Sequence, residues 1–452
     1  MNGTRPREAR TFHIVSLGCA KNTVDSEAME QLLLAAGHRR ATDAASADLV
    51  VVNTCGFIEA AKQESIDTLL ELGEAKAEGQ KLVATGCLVE RYADELVTEL
   101  PDIDAFVGAR NWSALPGVVS KLDEARAPGD SLKLVELAPP GELDLEIVVG
   151  RRVSGPSAYV KISDGCDQRC AFCAIPFMKG NHRSKPAPFI LREIGQLLEQ
   201  GVREVVLVGQ DTTRYGHDLH PGERDGLARL LELIADSYPE LPWLRVMYAY
   251  PRHVTEGLLR VMRERSQVLP YIDMPLQHTH PWTLARMRRP HRDTDDLVAW
   301  MRDRVPGLVL RTTFIVGFPG ETEEEFEHLL ASVKRLRFSR VGVFTYSDEE
   351  GTASYTMPDR VPEKVKRARQ RRLMAAAREV TADENRHLVG QELEVLVEGR
   401  PEPGSRWSAG RSYRDAPEVD GLVLLKGEPP IGQIVRARVE RALTYDLLAS
   451  LL

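Results

Sequence analysis

The stretch that decides the fold of the central part of the chain is DGCDQRCAFCAIP, residues 164–176. It holds Cys166, Cys170 and Cys173 in a C-x3-C-x2-C spacing, directly after a short apolar run. Three closely spaced thiolates can hold three irons of a 4Fe–4S cube and leave the fourth iron open to a substrate or cofactor. The alternative is a zinc site, in which His182 would complete a tetrahedral shell.

This cysteine triplet stands at the start of a repeating strand–helix pattern. Six apolar runs of strand length follow one another, and the segments between them mostly have helical periodicity. The six runs are SAYVKIS, REVVLVG, WLRVMYAY, LPYIDMPL, VLRTTFIVG and RVGVFTYS. The pattern predicts an α/β domain, a partial TIM-like (β/α)6 barrel, in which the polar turns after the strands share one mouth.

A triplet of this spacing at the opening of a six-unit barrel, with an aromatic residue (Phe172) before its last cysteine, resembles the radical S-adenosylmethionine superfamily. The resemblance implies that the open iron chelates S-adenosylmethionine. It also implies that an electron from the cluster breaks a sulfonium C–S bond and releases a 5′-deoxyadenosyl radical, which abstracts hydrogen from an unactivated carbon. Phe172 is then expected to lie beside the cofactor.

The turn VGQDTT after the second strand occupies the place of the superfamily's turn that receives the amino group of the cofactor. Gly209, Gln210 and Asp211 are therefore candidate contacts with S-adenosylmethionine. The sequence departs here from the usual Gly-Gly-Glu, which leaves the individual roles of the three residues open.

Two further turns have ordinary structural interpretations. GFPGET, residues 317–322, is a strand-to-helix turn in which Thr322 and Glu325 can form a capping box, and contact with the cofactor is the alternative. His278 and His280 of QHTH are interpreted as hydrogen-bonded structural residues rather than as an acid or base.

Three cysteines near the N-terminus, Cys19, Cys55 and Cys87, close the apolar runs TFHIVSLGC, DLVVVNTC and KLVATGC. Helical patterns follow the three runs, at about 23–37, 59–78 and 89–99. The alternation predicts a parallel, helix-covered sheet whose strand ends lie along one ligand-binding edge. A lone cysteine is often only a small buried apolar side chain. Three at equivalent ends of consecutive units indicate a shared site.

The C-terminal part changes character from about residue 388. GQELEVLVEG, DGLVLLKG and IGQIVRARVERALTYDLLA are short strands between Gly and Pro turns, which predicts a small antiparallel β-barrel. A basic helix, 361–388, precedes it, and its simplest interpretation is a helix that packs between domains rather than an RNA contact. A stretch rich in Pro and Gly, 125–156, predicts a domain boundary before the central barrel.

SLGCAKNTVDSE, VVNTCGFIEAAKQES and VATGCLVERY resemble the N-terminal domain of methylthiotransferases. The central domain and a C-terminal barrel of the TRAM type complete that architecture. The resemblance implies domains at 11–125, 152–385 and 386–452. It also implies that Cys19, Cys55 and Cys87 hold a second 4Fe–4S cluster, and that a C–H bond becomes C–SCH3, one S-adenosylmethionine supplying the methyl group and another the radical.

The expected target is an aspartate β-carbon in the twelfth small-subunit ribosomal protein, because GCAKNTVDSE, CDQRCAFCAIPFMKGNHRS and GRSYRDAPEVDG resemble the RimO type. Residues 386–446 carry nine Lys and Arg against ten Asp and Glu, whereas an RNA-gripping module shows a basic face. An acidic loop such as RDAPEVDG suits a basic ribosomal protein. The alternatives are a transfer-RNA adenosine methylthiotransferase and a non-catalytic iron–sulfur or zinc scaffold.

The composition of the chain indicates the number of domains, the absence of a disulfide framework and the location of the protein. The 452 residues, 43% of them apolar and with a net charge of −8, predict two to four domains. Six cysteines are too few for a secreted disulfide framework. The chain lacks a long apolar run and a signal-peptide pattern, so we expect a cytoplasmic protein without a membrane partner. Its electrons are expected from a flavodoxin- or ferredoxin-type protein, and the sulfur donor stays open.

Overall fold

A computed structural model of the chain describes residues 9–124, 133–139, 145–289, 292–402 and 404–452. The predicted boundary stretch, 125–156, lies partly outside these residues, at 125–132 and 140–144.

The chain forms two compact units that do not follow a single cut in the sequence. The first unit contains the residues up to Arg152 together with Asp164–Gln168 and Cys173–Lys185. The second contains Val153–Ser163, Arg169–Phe172 and Pro186–Leu452. Two pieces of the cysteine-rich loop therefore belong to the N-terminal unit.

A parallel sheet flanked by helices forms the body of the first unit. Its strands are β1 (Thr11–Ser16), β2 (Arg39–Arg40), β3 (Leu49–Thr54), β4 (Lys81–Gly86), β5 (Ala105–Gly108) and β6 (Leu134–Glu136). Its helices are α1 (Ala20–Ala35), α2 (Glu59–Glu74), α3 (Cys87–Glu99) and α4 (Leu115–Glu124). In the described residues the strand order is β2-β1-β3-β4-β5-β6, with every pair parallel.

The sequence of β3, LVVVNT, explains why this sheet is covered on both sides. All six of its residues are buried, as expected for a parallel strand with helices on both faces. Leu49 and Val51 join one apolar cluster, while Val50 and Val52 join another on the opposite face. The three predicted strand–helix units are confirmed, and the structure adds β5, α4 and β6, which the sequence analysis did not predict.

The second unit is built around the predicted six-stranded partial barrel. Its strands are β7 (Ser157–Lys161), β10 (Glu204–Val208), β11 (Trp243–Val246), β12 (Val268–Asp273), β13 (Val309–Val316) and β14 (Arg340–Thr345), and two-residue strands β8 (Ser163–Asp164) and β9 (Arg183–Ser184) lie in the loop after β7. The parallel order is β14-β13-β12-β11-β10-β7, so consecutive strands of the described chain are neighbours.

Helices follow these strands and cover the outside of the partial barrel. They are α6 (Ala187–Glu199), α7 (Gly226–Ser237), α8 (Glu256–Glu264), α9 (Pro281–Arg286), α10 (Thr294–Arg304), α11 (Glu323–Leu336) and α12 (Glu363–Arg386). The short helix α5 (Ile175–Lys179) lies in the segment Cys173–Lys185, which belongs to the first unit. Thr322 and Glu325 form the predicted capping box at the start of α11. The turns between the strands and the helices that follow them fix where each strand ends. They thereby place the residues at the mouth of the barrel.

The C-terminal residues form a closed five-stranded barrel. Its strands are β15 (Glu392–Gly399), β16 (Trp407–Ser412), β17 (Val423–Lys426), β18 (Ile434–Ala442) and β19 (Leu447–Leu451). The predicted small β-barrel is confirmed, although β17 and β19 pair in parallel while the other pairs are antiparallel.

A buried ion network joins this small barrel to the N-terminal ends of the partial-barrel strands. Glu204, the first residue of β10, accepts hydrogen bonds from Arg245 Nε at 2.7 Å and from Arg411 Nη2 at 2.5 Å. All three side chains are almost completely buried. Burial raises the pKa of Glu204, but the two guanidinium groups outweigh burial and hold it at about 2. The carboxylate is therefore the shared anion of two buried cations.

The loop RDAPEVDG takes part in the same junction. Asp415 pairs with Arg340 at 2.5 Å, and Asp420 accepts a hydrogen bond from the Tyr271 hydroxyl at 2.6 Å. The expectation that this loop offers its acidic side chains to a basic partner is wrong for both aspartates, because the strand side chains bury and neutralise them. Glu418 alone of the three acidic residues of the loop is exposed.

Replacing Glu204 by glutamine tests how much this ion network contributes to the stability of the fold. Removing one partner of a buried ion pair costs about 3–5 kcal/mol, because the remaining charge stays buried without compensation. We expect a clear fall in the midpoint of thermal unfolding of the full-length chain. The pKa of Glu204 in the folded chain lies below the ordinary value of 4.5. The stabilisation by this carboxylate is therefore fully present at pH values above 4.5 and is lost as the pH falls toward about 2.

Glu392→Gln is the matched control. Glu392 pairs with Arg436 and Arg438 on the exposed face of the small barrel, where an ion pair contributes little to stability. Equal unfolding midpoints for the two variants at neutral pH would contradict the role given to Glu204.

Candidate active site

The three N-terminal cysteines lie at the carboxyl ends of adjacent strands. Cys19 is the residue before α1, Cys55 follows β3 directly, and Cys87 is the first residue of α3. The register pairs Ser16 with Asn53 and Thr54 with Gly86, so the three strands end level with one another. The predicted common edge is thus present.

Short polar and glycine contacts draw the three turns together. The Asn22 amide donates hydrogen bonds to the Leu17 carbonyl at 2.9 Å and to the Thr54 carbonyl at 3.1 Å, which ties the end of β1 to the end of β3. The Thr54 hydroxyl donates to the Thr85 carbonyl at 2.5 Å, which ties β3 to β4. The described contacts therefore cross-link all three turns.

Two glycines show how closely the cysteine turns approach. A Cβ on Gly18, whose φ is +94°, would lie 2.8 Å from Cys55 Cβ and 3.2 Å from Cys55 Sγ. A Cβ on Gly56 would lie 2.8 Å from Leu88 Cα, in the turn that carries Cys87. Cys55 is therefore placed against the turns of both other cysteines, and the structure brings the three together.

The electrostatic surroundings of these thiols differ. Burial raises the pKa of Cys19, but the Lys21 ammonium, the backbone N–H groups of Asn22 and Lys21, and Lys179 outweigh it, so the pKa lies below its ordinary value. Burial raises the pKa of Cys55 and raises that of Cys87 to about 12. The charge of neighbouring cysteines also raises the pKa of both thiols. A set of thiolates at this edge therefore needs a cation or a metal that compensates its negative charge.

Lys179 supplies a buried cation that the sequence analysis missed. Its ammonium lies 3.5 Å from Asp25 Oδ2, 3.4 Å from Asp164 Oδ2 and 3.4 Å from the Ala109 carbonyl, and the side chain is 2% exposed. Burial lowers the pKa of Lys179, but Asp164 and Asp25, with Cys87 and Cys19, hold it well above its ordinary value. The signal in the sequence is only a lysine six residues after Cys173.

The segment that follows the cysteine triplet packs in one cluster with Cys87. Cys87 shares one apolar cluster with Ala109, Ala174 and Met178. Ala174 is the residue directly after Cys173, so its Cα lies about 3.8 Å from that of the cysteine. Within the first unit, the residue next to Cys173 therefore packs in the same cluster as Cys87.

The cysteines of the triplet lie in separate local surroundings. Cys166 is buried, and its N–H donates to the Gly180 carbonyl at 3.1 Å. Cys170 is buried and accepts a hydrogen bond from Arg289 Nη1 at 3.4 Å, while Cys173 is half-buried.

The donor chemistry fits an iron–sulfur group. Both sets consist of thiols only, and soft thiolates favour iron–sulfur clusters. His182, the fourth ligand of the zinc alternative, is buried with its Nε2 3.1 Å from Ser184 Oγ. Among the residues that the structure describes, no three His, Cys, Asp or Glu side chains form a site for a single metal ion. In a cube the thiolates bind different irons instead of meeting at one ion.

The predicted cofactor turn lies where β10 ends. A Cβ on Gly209 would lie 2.5 Å from Ser163 Oγ, so this position has no room for a side chain. Asp211 is buried, accepts a hydrogen bond from the Thr213 hydroxyl at 2.6 Å, and lies 3.0 Å from His253 Nδ1. Gln210 is half-buried between them. Asp211 therefore holds the turn in shape.

Phe172 and the GFPGET turn belong to one packed group. The Phe172 ring meets Phe318 edge to face, with centroids 6.4 Å apart. Glu321 accepts hydrogen bonds from the N–H groups of Gly317 and Phe318, which closes the turn.

His278 is fully buried; burial lowers its pKa, and its Nδ1 accepts a hydrogen bond from the His280 N–H at 2.9 Å. A neutral, hydrogen-bonded histidine matches its structural interpretation.

Three family models match successive parts of the chain. Residues 11–108 match the uncharacterized protein family UPF0004, residues 160–333 the radical SAM superfamily, and residues 389–452 the TRAM domain. The radical SAM match covers the cysteine triplet and the partial barrel from the end of β7 into α11, and the TRAM match covers the small closed barrel.

Relatives of nearly the full length are similar to this chain. A protein of Roseiflexus sp. (strain RS-1) named ribosomal protein uS12 methylthiotransferase RimO is 45% identical, with 96% of each chain covered. A protein of the same name from Microcystis aeruginosa (strain NIES-843 / IAM M-2473) is 44% identical over 97% of this chain and 98% of its own. The chain belongs to the RimO family of methylthiotransferases. Membership in the RimO family, with a radical SAM domain, implies S-adenosylmethionine and one 4Fe–4S cluster as cofactors.

Solved structures show the same fold at low identity. The radical S-adenosylmethionine methyltransferase TsrM from Kitasatospora setae, with cobalamin and a 4Fe–4S cluster bound, has a TM-score of 0.59 at 16% identity, with 77% of each chain covered. The cobalamin-dependent radical enzyme OxsB has a TM-score of 0.50 at 11% identity, covering 81% of this chain and 56% of its own. None of the helices in the described residues of this RimO-family chain is long and apolar enough to cross a membrane.

The charge of Lys21 gives a test of the cysteine edge in the metal-free chain. Replacing Lys21 by methionine removes the largest influence that lowers the pKa of Cys19. We expect the pH profile of Cys19 alkylation, followed by peptide mass spectrometry, to move to higher pH. Lys76→Met, which removes a lysine that pairs with Asp104, is the control and should leave the profile in place. A profile unaffected by Lys21→Met would contradict the described environment.

Proposed function

We propose that this chain replaces a hydrogen on the β-carbon of an aspartate in ribosomal protein uS12 by a methylthio group. The observation that carries the proposal is its similarity, over 96% of its length, to proteins named uS12 methylthiotransferase. The site of action proposed is the cytoplasm, and the electrons are proposed to come from a flavodoxin- or ferredoxin-type protein.

The charge distribution supports a protein target over RNA. On the small barrel, Arg400 pairs with Glu428, and Arg436 pairs with Glu392. On α12, Arg369 and Arg372 pair with Glu323 of α11. Each of these cations has a carboxylate partner within the chain, whereas an RNA-gripping surface presents a basic face to the phosphates. The transfer-RNA alternative is therefore not favoured.

Cys166, Cys170 and Cys173 are proposed to hold the radical SAM cluster, and Cys19, Cys55 and Cys87 a second 4Fe–4S cluster. Support comes from the all-thiol donor sets, from the contacts that tie the three N-terminal turns together, and from the packing of Cys87 on Ala174. When bound, the first cluster with S-adenosylmethionine supplies the radical chemistry for attack on an unactivated carbon, and the second serves sulfur insertion.

The protein's own residues would prepare the place for S-adenosylmethionine. Gly209 is proposed to contact the ligand through its backbone, while Ser163, whose Oγ a Cβ would approach to 2.5 Å, requires the glycine at this position. Asp211 is proposed to fix the turn through Thr213 and His253, with Gln210 as a direct contact. Phe172 is proposed to form an apolar wall with Phe318, which limits the entry of water.

Separate alanine variants divide the two thiol sets. Any one of Cys166→Ala, Cys170→Ala or Cys173→Ala should abolish reductive cleavage of S-adenosylmethionine, measured as 5′-deoxyadenosine. Cys19→Ala, Cys55→Ala or Cys87→Ala should keep this cleavage and lose the methylthio product. A triplet variant that still releases 5′-deoxyadenosine, or an N-terminal variant that still forms product, would refute the corresponding assignment.

The substrate is tested in a strain of the source organism that lacks this chain. Mass spectrometry of its ribosomal proteins and transfer RNA should show uS12 without the methylthio increment and transfer RNA unchanged. Restoring the wild-type chain should return the increment, and restoring a Cys170→Ala chain should not. Loss of a methylthio group from transfer RNA instead would overturn the proposed substrate.

A further inference from the structure

The turn after α9 contacts the cysteine loop from within the second unit. The Ala171 N–H donates to the Met287 carbonyl at 2.9 Å. The next residue, Arg288, has a φ of +52°, in the left-handed region that non-glycine residues rarely adopt. This conformation lets the backbone of residue 287 and the side chain of Arg289 both reach the residues around Cys170.

Arg289 is a buried cation without a carboxylate partner in the described part of the chain. Its side chain is 6% exposed, its Nη1 donates to Cys170 Sγ at 3.4 Å, and its Nη2 donates to the Pro275 carbonyl. Other buried arginines each pair with a carboxylate; they are Arg151, Arg245, Arg340, Arg369 and Arg411. Burying an uncompensated charge is costly. Among the groups that the structure describes in contact with Arg289, the Cys170 sulfur is the one that can carry the compensating negative charge.

Tyr250 completes this arrangement around the sulfur. The Arg289 guanidinium lies 4.2 Å from the centroid of the Tyr250 ring, a cation–π distance. The ring therefore covers one face of the guanidinium that bonds the Cys170 sulfur.

We propose that Arg289, supported by Tyr250, is a positioning residue that raises the reduction potential of the cluster bound through Cys170. Reduction by one electron adds negative charge to the cluster. A fixed cation that donates a hydrogen bond to a ligand thiolate stabilises the reduced state more than the oxidised one. The inference rests on the proposed ligand role of Cys166, Cys170 and Cys173.

The test uses the full-length chain with Cys19, Cys55 and Cys87 replaced by alanine, so that one cluster gives the signal. The reconstituted protein is titrated with a low-potential one-electron reductant and followed by electron paramagnetic resonance. Arg289→Met, Arg289→Lys and Tyr250→Phe are compared with this parent. Arg292→Gln is the matched control, because Arg292 also stacks on an aromatic ring, 4.3 Å from the Trp300 centroid.

Arg289→Met should lower the equilibrium constant for reduction at least about tenfold, which is about 59 mV for one electron. Arg289→Lys and Tyr250→Phe should shift the potential in the same direction by less, and Arg292→Gln should not shift it. These two milder variants decide the result if the methionine variant does not assemble a cluster. Unchanged potentials in both would overturn the role of Arg289. A parent without a four-iron signal would overturn the cysteine assignment and the role of Arg289 with it.

Discussion

The register of three neighbouring parallel strands is the constraint on which the N-terminal site depends. Because β1, β3 and β4 pair residue for residue and end level, cysteines that are more than thirty positions apart along the chain arrive at one edge. A slip of one residue in a strand turns its side chains to the opposite face. The wholly buried β3 prevents such a slip, and Asn22 and Thr54 then fix the turns beyond the strands.

Buried positive charge is handled in two ways in this protein. At the N-terminal ends of the barrel strands, arginines are paired with carboxylates, and these buried pairs connect the small barrel to the strands. Beside the cysteines, buried cations interact with cysteine sulfur as well as with oxygen atoms. Lys179 in the first unit lowers the pKa of Cys19 as well as bonding two aspartates, and Arg289 in the second unit bonds Cys170.

Much of the fold could be predicted because periodicity and cysteine spacing are local signals. The six barrel strands, the capping box at Thr322 and the strand–cysteine–helix units all lie in short continuous stretches. The edge strand β6 could not be predicted, since three residues carry no periodicity and their place depends on β5. Asp415 and Asp420 look like surface charges in the sequence, because their partners Arg340 and Tyr271 are far away along the chain. Lys179 and Arg289 were missed for the same reason.

The most direct test of the account is the iron content of the full-length chain in which Cys166, Cys170 and Cys173 are all replaced by alanine, reconstituted without oxygen. If the ends of β1, β3 and β4 form a cluster site of their own, this variant should keep about four irons per chain with the Mössbauer spectrum of a 4Fe–4S cluster. A folded variant that holds less than about one iron per chain would contradict the account, since no cube could then be bound at that edge.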